Sequence, residues 1–151
     1  MSTRCQVVIK DGYNEQIIFY RHSDGYPEGA MPTLQKFMDW QRRGLIRDNA
    51  EQSAGWLILI GAQEYGTNYK GISHDITEPN SGDSCSGWKC GAYEPAIGRH
   101  GDIEFLYILD LKEKTISCYA TGWDGEGFPD EEKDKLLFVD TAKKPWKKKA
   151  S

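Results

Sequence analysis

The chain has 151 residues and a mass of 17.1 kDa, the commonest size for a single domain. Hydrophobic residues at 38% and charged residues at 28% exclude a disordered chain, and no stretch approaches the ~20 apolar residues of a bilayer-crossing helix. The net charge of −4 hides a split: residues 143–151 hold five lysines and no acid, which leaves −9 on residues 1–142. An acidic body argues against nucleic acid as the main partner.

The start, Met1-Ser-Thr-Arg-Cys5, leads into a strand-like run and not into an apolar signal core, so a soluble, cytoplasmic protein is expected. In that reducing compartment the four cysteines, Cys5, Cys85, Cys90 and Cys118, default to thiols. Arg4 to Lys10 alternates around Val7 and Ile9, with Val8 on the other face; after Asp11-Gly12, the run Gln16 to Tyr20 completes a predicted hairpin. His22 to Gly29 is polar and carries Pro27, so it reads as a loop.

A helix is predicted to begin near Met31 to Thr33, with Pro32 in its first turn and Leu34, Phe37 and Met38 on one face. Arg42 and Arg43 suit its last turn, and Gly44 its left-handed cap. Asn49 and Gln52 then form a capping pattern for a second helix. In it Ala54, Leu57, Ile58, Gly61 and Tyr65 make one stripe, while Trp56, Leu59 and Ile60 cover most of the rest. A helix apolar nearly all round is expected to be buried, with Gly66 ending it.

Residues 67–99 show little regular patterning, and 80–91 read as a long polar loop. Asp102 to Asp110 alternates, with Ile103, Phe105, Tyr107 and Leu109 on one side and Glu104, Leu106 and Ile108 on the other. It is joined through Lys112-Glu113 to Thr115–Ala120 as a second hairpin. Asp130 to Lys135 is acidic, and Leu136 to Val139 is a last strand. The order β-β-α-α-β-β-β implies an α+β fold, a mainly antiparallel sheet with two adjacent helices on one face. Residues 1–142 form one domain and 143–151 a basic, flexible tail.

Two segments stand out, Tyr20-Arg-His-Ser-Asp-Gly-Tyr-Pro27 and Arg99-His-Gly-Asp-Ile-Glu104, each holding an Arg, a His and an Asp at a strand end. Arg21, His22, Asp24, Tyr26, Arg99, His100, Asp102 and Glu104 are the candidate site residues. Asp-Gly and Pro27 also have an ordinary structural reading as turn and strand stop. The imidazoles and arginines suit a small anionic ligand or a protein partner. The set His22, Asp24, His100, Asp102 and Glu104 suits a metal-dependent hydrolase.

The acids Asp124, Glu126, Asp130, Glu131, Glu132 and Asp134 suit an inhibitor of a nucleic-acid-binding enzyme. No nucleophile elbow, HExxH, P-loop or dinucleotide fingerprint is present, which favours a non-enzymatic reading. Cys85 and Cys90 leave open thiols, a local disulfide or two ligands of a zinc site. Trp88, Trp123, Trp146, Tyr26, Tyr69 and Tyr93 stand in loops or the tail, as contact residues or lids over the core. Cofactor and oligomeric state are left open.

With these two stretches, Tyr20 to Pro27 and His100-Gly-Asp-Ile-Glu-Phe-Leu-Tyr107, the chain resembles a family of small bacterial and phage proteins without assigned activity. The resemblance spans about two thirds of the chain and omits the cysteine loop and the lysine tail. It implies no reaction. It does imply a mobile-element setting, in which small cytoplasmic proteins act by binding.

Overall fold

The structure is a computed structural model and describes residues 2–65 and 91–147. Gly66, Tyr69, His74, Cys85, Trp88 and Cys90 lie outside the described residues. In chain order the elements are β1 (Cys5–Lys10), β2 (Gln16–Arg21), α1 (Pro27–Arg42), α2 (Ala50–Tyr65), β3 (Glu94–Ala96), β4 (Phe105–Asp110), β5 (Thr115–Ala120), a 3₁₀ turn at Glu131–Lys133, and β6 (Lys135–Asp140). The strands form one mixed sheet in the order β3-β2-β1-β4-β5-β6. The α+β architecture is the one the residue pattern implies.

Both predicted hairpins form, and β3 and β6 add antiparallel neighbours to β2 and β5. The exception is central: β1 and β4, nearly a hundred residues apart, pair in parallel with Val7 beside Tyr107. The helices join β2 to its antiparallel neighbour β3, and residues 97–104 then carry the chain from β3 past β2 and β1 to the start of β4. Short β3 sits in the span read as unpatterned, because three residues are too few to show alternation.

Alternation sends Cys5, Val7, Ile9, Phe19, Tyr107, Leu109, Ile116 and Cys118 to one face, all buried. Against them α1 packs Leu34, Phe37 and Met38, and α2 packs Ala54, Leu57 and Ile60. Cys118 is a small core residue, as expected, and burial pushes the Cys5 thiol up to about 12.

Four expectations need correction. Helix α1 begins at Pro27, not near Met31: Tyr26 is extended and Pro27 starts the helix, leaving Pro32 inside it. Gly29 permits this, since a Cβ there would lie 2.2 Å from the Asp24 carbonyl oxygen. Next, β4 begins at Phe105, so Asp102 and Glu104 precede the strand and do not share a strand face. Then α2 is not buried all round: among the described residues it packs on one sheet and on α1, and Trp56 and Leu59 remain 39% and 49% exposed. Finally, Tyr93 is no surface aromatic but is fully buried, its hydroxyl 2.6 Å from that of Thr33.

The caps follow the sequence reading. The Gln52 N–H donates to Asn49 Oδ1 at 2.8 Å, and Gly44 takes φ 75° after α1. Asp11 adds an unforeseen anchor, accepting from the N–H groups of Tyr13, Glu15 and Ala50, which ties the first hairpin to the start of α2. The first part of the basic tail is held: the Trp146 N–H donates to Gln35 Oε1, Gln35 Nε2 donates to Lys144 O, and Trp146 packs on Phe138.

Candidate functional site

The two motifs meet, but only in part. His22 follows Tyr20 by two residues and lies on the sheet face that the helices leave bare. Its ring stands edge-on to Tyr20 at 4.5 Å, and the His100 ring lies against Tyr20 at 4.2 Å. The Tyr20 hydroxyl donates to Asp102 at 2.8 Å, and Arg4 reaches the same carboxylate at 3.3 Å. Burial first, then the Asp102 carboxylate, push the Tyr20 phenol well above its usual value, so it remains a donor. Gln6, buried, takes the His100 N–H and donates to Gly98 O, and so fastens the second motif to β1.

The arginines go elsewhere. Arg21 points beneath the sheet and is 1% exposed. It makes a bidentate pair with Glu64 at 3.0 and 2.7 Å, donates to Ser23 O, and lies over the Tyr93 ring. Arg99 stays on the bare face, where Asp134 takes both terminal nitrogens at 2.6 and 2.8 Å. That guanidinium, helped by the Gly122 N–H, holds the Asp134 carboxyl below the usual carboxylate range against the opposing pull of burial.

The remaining candidates are scattered. Asp24 occupies a left-handed turn (φ 56°) and accepts from the Tyr26 hydroxyl; both side chains face outward. Glu104 is exposed before β4. Among the described residues no three His, Cys, Asp or Glu side chains gather as a metal would require. The acidic segment is partly spent on its own fold. Asp124 accepts from Glu126 and Phe128, Asp130 caps the 3₁₀ turn, and Asp134 holds Arg99, which leaves Glu126, Glu131 and Glu132 outward.

Beside the imidazole stack lies a hollow of ≈ 390 Å³ on the bare face, floored by Val8, Ile18, Leu106, Ile108 and Tyr119 and walled by Arg99, Glu131 and Asp134. Of the eight candidates only Arg99 lines it. The apolar floor was absent from them, although its signal was present: Val8, Leu106 and Ile108 are apolar on the second face of their strands. A strand exposed to water on one side alternates with polar residues; apolar residues on both sides mean that both sides are to be covered. A larger groove, ≈ 680 Å³, lies at the other end of the sheet between the start of α1, β6 and the tail, and includes Tyr26.

Among the described residues, fold and site together define an α+β protein with one sheet face covered by helices and the other carrying a partly exposed apolar hollow beside the ring cluster of His22, Tyr20 and His100. No helix among the described residues is long and apolar enough to cross a membrane. No protein-family model matches the chain, and no curated protein or solved structure is significantly similar to it.

Proposed function

We propose that this is a non-enzymatic binding protein whose bare sheet face receives a protein partner. The observation that carries the reading is the hollow floored by the partly exposed Val8, Ile18, Leu106 and Ile108, over which no helix of the described residues lies. A small anionic ligand is less well supported. Arg21 is paired with Glu64 and Arg99 with Asp134, and His22 lies 2.7 Å from Glu94, so three of the four candidate Arg and His side chains already contact a carboxylate. The hydrolase reading loses support because His22, His100 and Asp102 gather around the Tyr20 ring without converging on a common point, and Asp24 and Glu104 lie apart from them.

Charge indicates the kind of partner. Glu126, Glu131 and Glu132 project from the segment that walls the hollow, and residues 1–142 carry −9. A partner with apolar side chains flanked by basic ones matches both floor and rim; the nucleic-acid-binding surface of an enzyme has this chemistry. The bacterial or phage cytoplasm as its setting rests on the two-motif resemblance.

Site-specific photo-crosslinking in the producing cells tests the proposal. A crosslinker at Leu106 or Tyr119 is expected to yield one discrete heterologous adduct that Ile108→Lys abolishes and high salt weakens. A crosslinker at Glu51 on α2 is expected to yield none. Equal adducts from both faces, or none from Leu106 and Tyr119, would overturn the reading.

A further inference from the structure

The two outer edges of the sheet are unlike. Strand β3 is three residues long and contains Pro95, two devices that keep an edge from recruiting another strand. Strand β6 has six residues, Lys135-Leu-Leu-Phe-Val-Asp140, no proline, and no strand on its outer side among the described residues. Leu136, Leu137 and Val139 are 48%, 44% and 53% exposed. Leu137 to Asp140 also line the ≈ 680 Å³ groove, so this end of the sheet is open.

We infer that the outer edge of β6 pairs antiparallel with β6 of a second copy of this chain, joining two six-stranded sheets into one. The sequence of the strand is self-complementary in that direction. With Lys135 opposite Asp140 at both ends, Leu136 falls opposite Val139 and Leu137 opposite Phe138, so opposite charges bracket an apolar centre.

A regular strand could not pair in this register, because residues three or five apart point to opposite faces while directly opposed residues must share one. The bulge in β6 removes the conflict. Tyr119 faces Leu136 and Ser117 faces Val139, so Leu136 and Val139 share the bare face. Ala120 faces Lys135 and Ile116 faces Asp140, so those two share the helix face. One extra residue, Leu137, restores the parity. Registers one residue to either side lose the Lys135–Asp140 match, and one of them brings Asp134 against Asp140.

The pairing is isologous, with each residue used twice about one twofold axis normal to the sheet. That symmetry leaves both bare faces on the same side. The inference therefore does not depend on what those faces bind.

Sedimentation equilibrium of the full-length protein over a concentration series is the test. Wild type is expected to form a reversible dimer. Lys135→Asp and Asp140→Lys should each weaken self-association by about tenfold or more, since each replaces two attractions by two repulsions. An equimolar mixture of the two variants should recover association close to wild type, because the mixed dimer has two attractive pairs, one in the native order and one reversed.

Asp140 also accepts from Gln35 at 2.8 Å, so circular dichroism checks that its variant is folded, and Leu137→Lys, at an exposed site, is a second disruption. A wild type that stays monomeric at its solubility limit would overturn the inference. So would a dimer indifferent to Leu137→Lys, or variants that do not recover on mixing.

Discussion

Arg21-His22 and Arg99-His100 are the same dipeptide, one at the end of β2 and one in the loop before β4, and their side chains have different fates. Strand alternation splits the first pair, so Arg21 enters the core beneath the sheet while His22 remains above it. The second pair lies in a loop, where Arg99 turns to Asp134 and His100 to Tyr20. The imidazoles from both motifs reach one phenol ring; the arginines end on opposite faces of the sheet. Sequence likeness between short motifs therefore does not imply likeness of role, because a neighbour on a strand belongs to the other side of the molecule.

The largest expected effect tests the buried half of that contrast. Arg21→Ala should lower stability by about 3 kcal/mol in urea titration, since it leaves Glu64 and the carbonyls of Ser23 and Gly29 without their donor. The cost lies at the low end of the usual range because the Glu64 side chain is 22% exposed and water can reach it. A loss near zero would mean that Arg21 is not the structural member of its pair.

Next comes the Arg99 clasp. Arg99→Ala should cost about 1.5 kcal/mol, less than Arg21→Ala because Asp134 keeps the Gly122 N–H. The clasp is also acid-sensitive. The Asp134 carboxyl is held below its ordinary 3.8, so its contribution is full above that value and is lost as pH falls through the lowered folded value. Asp134→Asn should thus be less stable than wild type near neutral pH, and the gap should close on acidification. A gap independent of pH would refute the assignment.

The smallest effects belong to the imidazoles. His22→Ala and His100→Ala should each stay within about 0.5 kcal/mol of wild type, because both rings lie at the surface over a phenol whose hydroxyl remains bound to Asp102. Chemical denaturation of the four alanine variants side by side, in the order Arg21, Arg99, His22, His100, would sharpen or break the comparison.

Much of this arrangement was legible in the chain. Hairpins announced themselves through alternation and turn residues, the second helix through Asn49 and Gln52, and the core through Leu34, Phe37, Tyr107 and Leu109. These signals are local, because a strand or cap is specified by residues a few positions apart. The start of α1 is not legible in the chain because Pro27 fits a strand stop as well as a first helical residue. The difference lay in Gly29, whose close approach to Asp24 is visible only in three dimensions.

What the sequence determined by itself is the α+β class, the two hairpins and the cap of α2, all of which follow from propensities and periodicities within a short window. Tertiary structure alone decided the parallel pairing of β1 with β4, the partners of Arg21, Arg99 and His22, and which face was left bare. Those outcomes join residues 35 to 100 positions apart, and such separations are set by how the elements pack, which no local pattern encodes.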